Sequence, residues 1–418
     1  MRILWFTGVQ LPALTGQGLT RAGWQEGLRK ALETYQPDIE LGIAAAAPEP
    51  RPPFIQANTT YFTLPGDAPR GRWGRLRRAW QHVSYTRADY EQCLDLVAHF
   101  KPDLVHFHGS ENFFGLISER LAAPSLLSIQ AIVNGYFPFF FSDVGWREIT
   151  QELATQAFLR GEGPLHKWLT WRKYLESEQH ILRSCQNYMG RTEWDRAVLL
   201  AFNPQAHYFS CNEALADPYY TLEWHAEAAG GAVIYSTSSG NYYKGSLLLA
   251  RAVDLLKQRG WKQIQLHLAG INRSYDAGKI LVKFIRAHHL EENILLFERL
   301  TPGEITEQML GAAVYVHPSH IDNSPNSLCE AMLMGLPCIA ANVGGIPSLV
   351  RDSQDGLLYH DRDAYMLADR IAQLLNDRPL AARLGARARQ TALARHDREQ
   401  IAQRTVAIYR QVITSQPV

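Results

Sequence analysis

Y-V-H-P-S-H-I-D-N-S-P-N-S-L-C-E-A-M-L-M-G-L-P-C-I-A-A-N-V-G-G-I-P-S-L-V, residues 315–350, is the stretch from which the fold is read. Residues 313–316 form a short β-type run, and a polar loop with Asp322, Asn323, Ser324 and Pro325 follows. Asn326 and Ser327 are placed to cap a helix whose interior reads L-C-E-A-M-L-M. Gly335 and Pro337 end it, residues 338–341 make the next strand, and Gly344-Gly345 turns the chain again. This is half of a βαβ unit, with a helix N-terminus opening into a loop. Free N–H groups and partial positive charge at such a terminus suit a phosphate. Asp322 and Glu330 frame the loop with seven residues between them. A nucleotide with its diphosphate at the helix start and its ribose diol on Glu330 would satisfy both features. The plainer alternative is a buried βαβ corner with two solvated acids.

The stretch resembles the E-x7-E signature of the retaining family 4 glycosyltransferases, and comes close to the members reading E-N-S-P-N-S-L-C-E-A-M. One departure is that the first acid is Asp322, a side chain shorter than Glu by one methylene. The resemblance implies an α/β protein of GT-B fold, two Rossmann-like domains facing across a cleft. An acceptor-binding domain would span 1–217 and a nucleotide-sugar-binding domain 231–395. A last helix within 396–418 would cross back to the first domain. It also implies glycosyl transfer with retention to a glycan or lipid-linked acceptor, as in cell-surface polysaccharide or glycoconjugate synthesis. Glu330 would hold the ribose, Asp322 the donor sugar, and amides near Asn326, Ser327 and Leu328 the diphosphate. No metal and no cofactor is implied; the nucleotide-sugar is a substrate.

Length and composition fit this frame. At 418 residues the chain exceeds what one core usually spans, so two domains are expected. A net charge of +1 gives no overall field for nucleic acid. Cys93, Cys185, Cys211, Cys329 and Cys338 form no C-x-x-C pair, which points to reduced, buried thiols in a cytoplasmic protein. The opening M-R-I-L-W-F-T-G reads as a first strand, not a signal segment. No run of about 18 apolar residues is present to span a membrane.

In the first half, residues 3–6 are strand-like, Gly8, Gly16, Gly18 and Gly23 lie in the loop that follows, and residues 24–35 have helical spacing. There is no G-x-G-x-x-G. The resemblance implies a glycine pair at this helix start beside the donor phosphates; here the pair reads Ala22-Gly23, so only Gly23 carries over. Residues 41–46 are a second strand and 54–67 are irregular. From Arg70 to Trp80 runs R-G-R-W-G-R-L-R-R-A-W, which suits peripheral contact with an anionic membrane on the inner face, or equally a solvated face with its tryptophans on the core. His106 and His108, at the end of a strand over 104–107, share a face. They resemble the family's D-h-V-H-x-H strand end at the cleft. Gln130 follows the strand over 126–130, where a His is common in the family; Gln can bond a sugar hydroxyl but cannot act as a base. Residues 137–146 are aromatic and read as a cleft lining, a lipid contact, or core between helices. Residues 163–185 are helical, 187–190 make the last strand of this half, and Arg191 is a cleft candidate by resemblance.

In the second half, residues 216–231 read as a linker and 232–236 as a strand. S-T-S-S-G-N-Y-Y-K-G then opens a helix, which puts Lys244 near a helix start as a cation for a diphosphate. The family places its phosphate-binding Lys in this K-G pair, often with an Arg earlier. Here Ser238, Ser239 and Gly240 stand in that place, leaving Arg273 or Arg191 as the second cation. Gly270 ends a strand over 264–269, the family's usual position beside the base. Residues 356–359 resemble a G-L-L-h turn, and Asp361-Arg362-Asp363 reads as a helix cap more readily than a D-x-D metal motif. Two other classes stay open on the same fold: a sugar-nucleotide epimerase or phosphorylase, and a non-catalytic nucleotide-sugar binder.

Overall fold

The computed structural model describes residues 1–9, 11–15, 23–47, 51–65, 86–145, 164–227, 230–274 and 276–415. Gly16, Gly18, Ala22 and the basic stretch from Arg70 to Trp80 lie outside these residues. The chain divides into two compact units. Unit 1 comprises Met1–Phe137, Gln156–Leu215 and His396–Val418; unit 2 comprises Pro138–Thr155 and Ala216–Arg395.

The strands of unit 1 are β1 (Arg2–Thr7), β2 (Glu40–Ala47), β3 (Phe54–Gln56), β4 (Thr59–Pro65), β5 (Leu104–His108), β6 (Ser125–Ser128), β7 (Asn187–Gly190) and β8 (His207–Ser210). They form one sheet in the order β3-β4-β2-β1-β5-β6-β7-β8. Every pairing is parallel except β3 with β4. β1 is nearly all apolar because a central parallel strand is covered on both faces. Ile3 and Trp5 pack with Leu28 and Leu32 of the helix Gly23–Tyr35 and with Tyr409 of the helix Arg398–Thr414. Leu4 and Phe6 pack with Phe100, Phe107 and Ile117. The Trp5 indole donates to the Tyr409 hydroxyl at 3.0 Å, so neither buried polar atom is orphaned.

Unit 2 carries β9 (Val233–Thr237), β10 (Gln265–Ala269), β11 (Ile294–Phe297), β12 (Val314–His317), β13 (Cys338–Ala341) and β14 (Leu357–Tyr359). Their order is β11-β10-β9-β12-β13-β14, all parallel. The strand order reverses between β9 and β12. In open parallel sheets, ligands bind beyond the carboxyl ends of the strands at such a reversal. The helix expected after Thr301-Pro302 forms with a full capping box between Thr301 and Glu304.

Several elements differ from the sequence reading. Residues 54–67 contain β3 and β4, a hairpin that turns at Ala57, φ 51°; its threonine-rich strand buries Thr59, Tyr61 and Phe62. β7 is not the last strand of its half, since the half-buried β8 pairs with it in parallel. The stretch read as a linker over 216–231 holds the helix Asp217–Thr221, and the buried Trp224 indole donates to Ala312 O at 2.8 Å, so its first part, through Trp224, is packed structure and not a free linker. Residues 357–359 are a strand, not a turn. Pro138–Thr155 groups with unit 2, a segment that the 1–217 and 231–395 division does not provide for.

Candidate functional site

After β9 the chain passes Ser238, Ser239 and Gly240 into a single 3-10 turn, Tyr242–Lys244, and through Gly245 into the helix Ser246–Gln258. Gly245 sits at φ 67°, and a Cβ there would lie 1.9 Å from Pro318 O, in the loop after β12. Gly270, after β10, has φ 86°, and its Cβ would lie 1.9 Å from Ser238 O. Only glycine fits either place. These two close approaches gather the loops at the carboxyl ends of β9, β10 and β12.

Lys244 lies against the loop after β12. Its Nζ donates to Asp322 Oδ2 at 2.7 Å, and His317 Nε2 lies 2.9 Å from the same oxygen. Burial alone would raise the Asp322 carboxyl; the Lys244 ammonium and the His317 contact outweigh it and hold the group well below the usual carboxylate range. Burial would lower the Lys244 ammonium, but Asp322 raises it, so the pair is charged. Burial keeps His317 below its ordinary value despite Asp322. A neutral His317 therefore donates through Nε2, and its buried Nδ1 has no partner among the described residues.

The helix Asn326–Leu333 starts on the same loop. Asn326 and Ser327 do not cap it: the N-cap is Pro325, which makes no side-chain cap bond. The N–H groups of Leu328 and Cys329 return to Pro325 O at 3.1 and 3.2 Å, which takes the Leu328 amide out of a phosphate role. The amides of Asn326 and Ser327 come first in the helix, where geometry provides no intrahelical acceptor. The Ser327 hydroxyl accepts from Tyr315 at 2.8 Å. Glu330 is hydrogen-bonded by the Tyr219 hydroxyl; burial, then Glu330, pushes the Tyr219 and Tyr235 phenols up, so both stay protonated. The buried Tyr235 hydroxyl has no hydrogen-bond partner among the described residues.

The remaining candidates are placed as follows. Ser239 is exposed, and its hydroxyl accepts from Asn241 at 2.9 Å. Gly240, φ 74°, donates its amide to Ser238 Oγ at 3.2 Å. Arg273 spends a guanidinium N–H on Leu296 O at 3.1 Å, beside the edge strand β11. Asp363 caps the helix Ala364–Asn376 through Met366 N–H at 2.8 Å, as a helix cap should.

In unit 1, Gly23 is the first residue of its helix. His106 is buried with both ring nitrogens engaged, by the Tyr409 hydroxyl at 2.8 Å and Ser128 Oγ at 2.6 Å. His108 is buried with neither nitrogen partnered among the described residues, its ring centroid 4.6 Å from that of Trp5 and 4.1 Å from that of His106, and burial drives it down to about 3. Both histidines are neutral at pH 7. Arg191 is buried, paired with Glu213, and donates to the carbonyls of Ile129 and Gln130 at 3.1 and 2.9 Å. Its guanidinium is committed to unit 1 structure.

Sequence reading missed His317, Tyr219, Tyr235, Glu111 and the pair His320–Asp143. Glu111, two residues past Gly109 in the loop after β5, has a buried carboxyl that burial pushes up to about 7. His317 and His320 do stand in the Y-V-H-P-S-H run, so their presence by the loop was readable; their partners were not.

Residues 224–391 match the family model described as glycosyl transferases group 1. Among curated relatives, N-acetyl-alpha-D-glucosaminyl L-malate synthase of Bacillus anthracis is 28% identical over 133 residues, 32% of this chain and 34% of that protein. Alpha-maltose-1-phosphate synthase of Mycobacterium tuberculosis is 35% identical over 121 residues, 28% of this chain and 31% of that protein. The matched stretch thus spans about a third of these relatives. Among solved structures, sucrose-phosphate synthase from Thermosynechococcus elongatus superposes with TM-score 0.74 at 18% identity, covering 99% of this chain and 100% of that one. Anabaena HepE, in complex with UDP and glucose, gives TM-score 0.67 at 16% identity, covering 98% and 100%. The fold is GT-B, each unit being one of its Rossmann-like halves.

Proposed function

We propose that the chain, whose residues 224–391 match the family model described as glycosyl transferases group 1, is a retaining glycosyltransferase. It moves a sugar from a nucleotide-sugar donor to a glycan or lipid-linked acceptor in polysaccharide or glycoconjugate synthesis. The observation that carries the reading is the meeting of Lys244, Asp322 and the helix start at Asn326 where the strand order of unit 2 reverses.

The chemistry asks for little beyond charge and position. As the glycosidic bond to the diphosphate breaks, negative charge gathers on the departing oxygen. Lys244 and the amides of Asn326 and Ser327 take that charge, Glu330 accepts from the ribose diol, and no cofactor is assigned a role. Lys244 is paired with Asp322. A diphosphate competing for Lys244 frees the Asp322 carboxylate for a hydroxyl of the donor sugar, while the His317 N–H keeps that carboxylate in place.

Incubation with radiolabelled UDP-, GDP- and ADP-sugars tests the reading. Transfer or slow donor hydrolysis that disappears in Glu330→Ala is expected. Binding without turnover would make the chain a non-catalytic binder, and an epimerised donor would make it an epimerase.

A further inference from the structure

We propose that Asp143, which the first half of the sequence contributes to unit 2, is a positioning residue for the turn Tyr242–Lys244 and so for diphosphate recognition. The inference rests on the reading of Lys244 given above. Asp143 stands at φ 65°, a left-handed conformation that Asp tolerates better than most residues. Its side chain is 7% exposed. Oδ2 accepts from the Leu248 N–H at 3.2 Å and lies 2.7 Å from His320 Nε2; Oδ1 lies 3.4 Å from Arg251 Nη1.

Both bonds of Oδ2 act on the turn. Leu248 is the third residue of the helix that follows it, and the N-cap of that helix, Gly245, has no side chain to cap with. Asp143 supplies the missing cap from far away in sequence. His320 reaches the turn from the other side, donating its own backbone N–H to Tyr243 O at 2.8 Å. The fully buried His320 ring is held between Asp143 and Asp361, with Nδ1 2.6 Å from Asp361 Oδ1. Burial alone would push the ring down; the two carboxylates outweigh it and carry it up to about 9, so an imidazolium bridges them. The Phe141 ring also faces Tyr242, centroids 6.1 Å apart.

Lys244 lies between these two anchors, and its acid, Asp322, is two residues after His320. Asp143 therefore fixes both the cation and, through His320, the loop that bears its partner. Without Asp143, Lys244 keeps its charge and loses its direction. That loss falls on the diphosphate and not on the nucleoside, a distinction that a merely stabilising contact would not make.

Calorimetric titration of wild type, Asp143→Asn and Asp143→Ala with UDP and UMP, GDP and GMP, and ADP and AMP tests this. The expected result is a diphosphate-over-monophosphate preference that falls about tenfold in Asp143→Ala, with monophosphate affinity unchanged. Asp143→Asn, which keeps the cap and loses the charge facing His320, should fall part of the way. Amide hydrogen exchange at Tyr243 to Leu248 should quicken in Asp143→Ala with no ligand present. If that variant does not fold, His320→Gln carries the same comparison. An unchanged preference and unchanged exchange in a folded variant would overturn the proposal. A wild type with no diphosphate preference would overturn the donor-site reading itself, and a Lys244→Ala control that matches it would identify that failure.

Discussion

Lys244 Nζ and His317 Nε2 converge on one oxygen, Asp322 Oδ2, at 2.7 and 2.9 Å. The Asp322 side chain is 9% exposed and that of Lys244 20%. The Asn323 N–H donates to the other oxygen, Oδ1, at 3.2 Å. A carboxylate so enclosed depends on its donors, and the cluster should respond as a unit when one member is removed.

Lys244→Ala tests that unit in two ways. Leaving the Asp322 carboxylate buried without its cation should destabilise the fold by up to about 3–5 kcal/mol, and Lys244→Ala with Asp322→Asn should recover part of it. Turnover at saturating donor should fall by roughly 10²–10³, the loss seen when one donor to a developing anion is removed. Chemical denaturation and single-turnover transfer by the folded fraction check the two claims. A rate within a few-fold of wild type would make Lys244 a structural partner of Asp322 and nothing more.

Asp322 also predicts a limb of acid denaturation. Its folded carboxyl sits below its ordinary value of 3.8. The folded state therefore binds fewer protons there than the unfolded state. The stability it contributes is present above pH 3.8 and is lost as pH falls below it. Asp322→Asn should start less stable at pH 7 and lose less between about pH 4 and pH 2. Urea midpoints measured across that range give the comparison, and parallel curves for the two proteins would contradict it.

Glu330→Gln keeps shape and removes charge. If Glu330 accepts from a ribose diol, nucleotide affinity should drop by about 1.5–3 kcal/mol, the range for hydrogen bonds to a charged group. The Tyr219 hydroxyl can still bond the amide, so the melting temperature should barely move. Titration with the preferred nucleoside diphosphate decides it; undiminished affinity would remove Glu330 from the ribose.

What the sequence shows of all this depends on range. Lys244 is readable because a Ser/Gly loop and a K-G pair punctuate a strand and a helix, all within ten residues or so. Asp322 and Glu330 are readable for the same reason. That Lys244 and Asp322 meet is not, because it follows from β9 and β12 being neighbours across the strand-order reversal, 78 residues apart. Asp143 is more remote still, 177 residues from His320, in a segment whose aromatic content gives no hint of a cap. β4 escaped notice because its threonines look polar, although Thr59 is fully buried under Glu33, which accepts its hydroxyl at 3.0 Å. Asn326 and Ser327 read as caps by side-chain preference, but the helix starts from Pro325 with no side-chain cap bond.

His320 should make the protein sensitive to alkali in a way that one substitution removes. The ring is fully buried and faces Asp143 and Asp361; Arg251 and Arg362 lie on those acids, and the Tyr359 phenol, pushed up by burial and then by the same two acids, stays neutral. His320 binds its proton up to about pH 9 in the folded protein, against an ordinary value of 6.5 in the unfolded chain. The folded state thus holds more protons between those values. Its contribution is complete below pH 6.5 and disappears as pH rises through about 9. The amount at stake is on the order of 3 kcal/mol. His320→Gln should be less stable than wild type at pH 6, and the gap should close by pH 10, where Lys and Tyr titration affects both proteins alike. Denaturant midpoints of the two proteins from pH 6 to pH 10 measure that gap directly. A gap that stays constant would mean that His320 is neutral when folded, and that Asp143 and Asp361 hold it by hydrogen bonds alone.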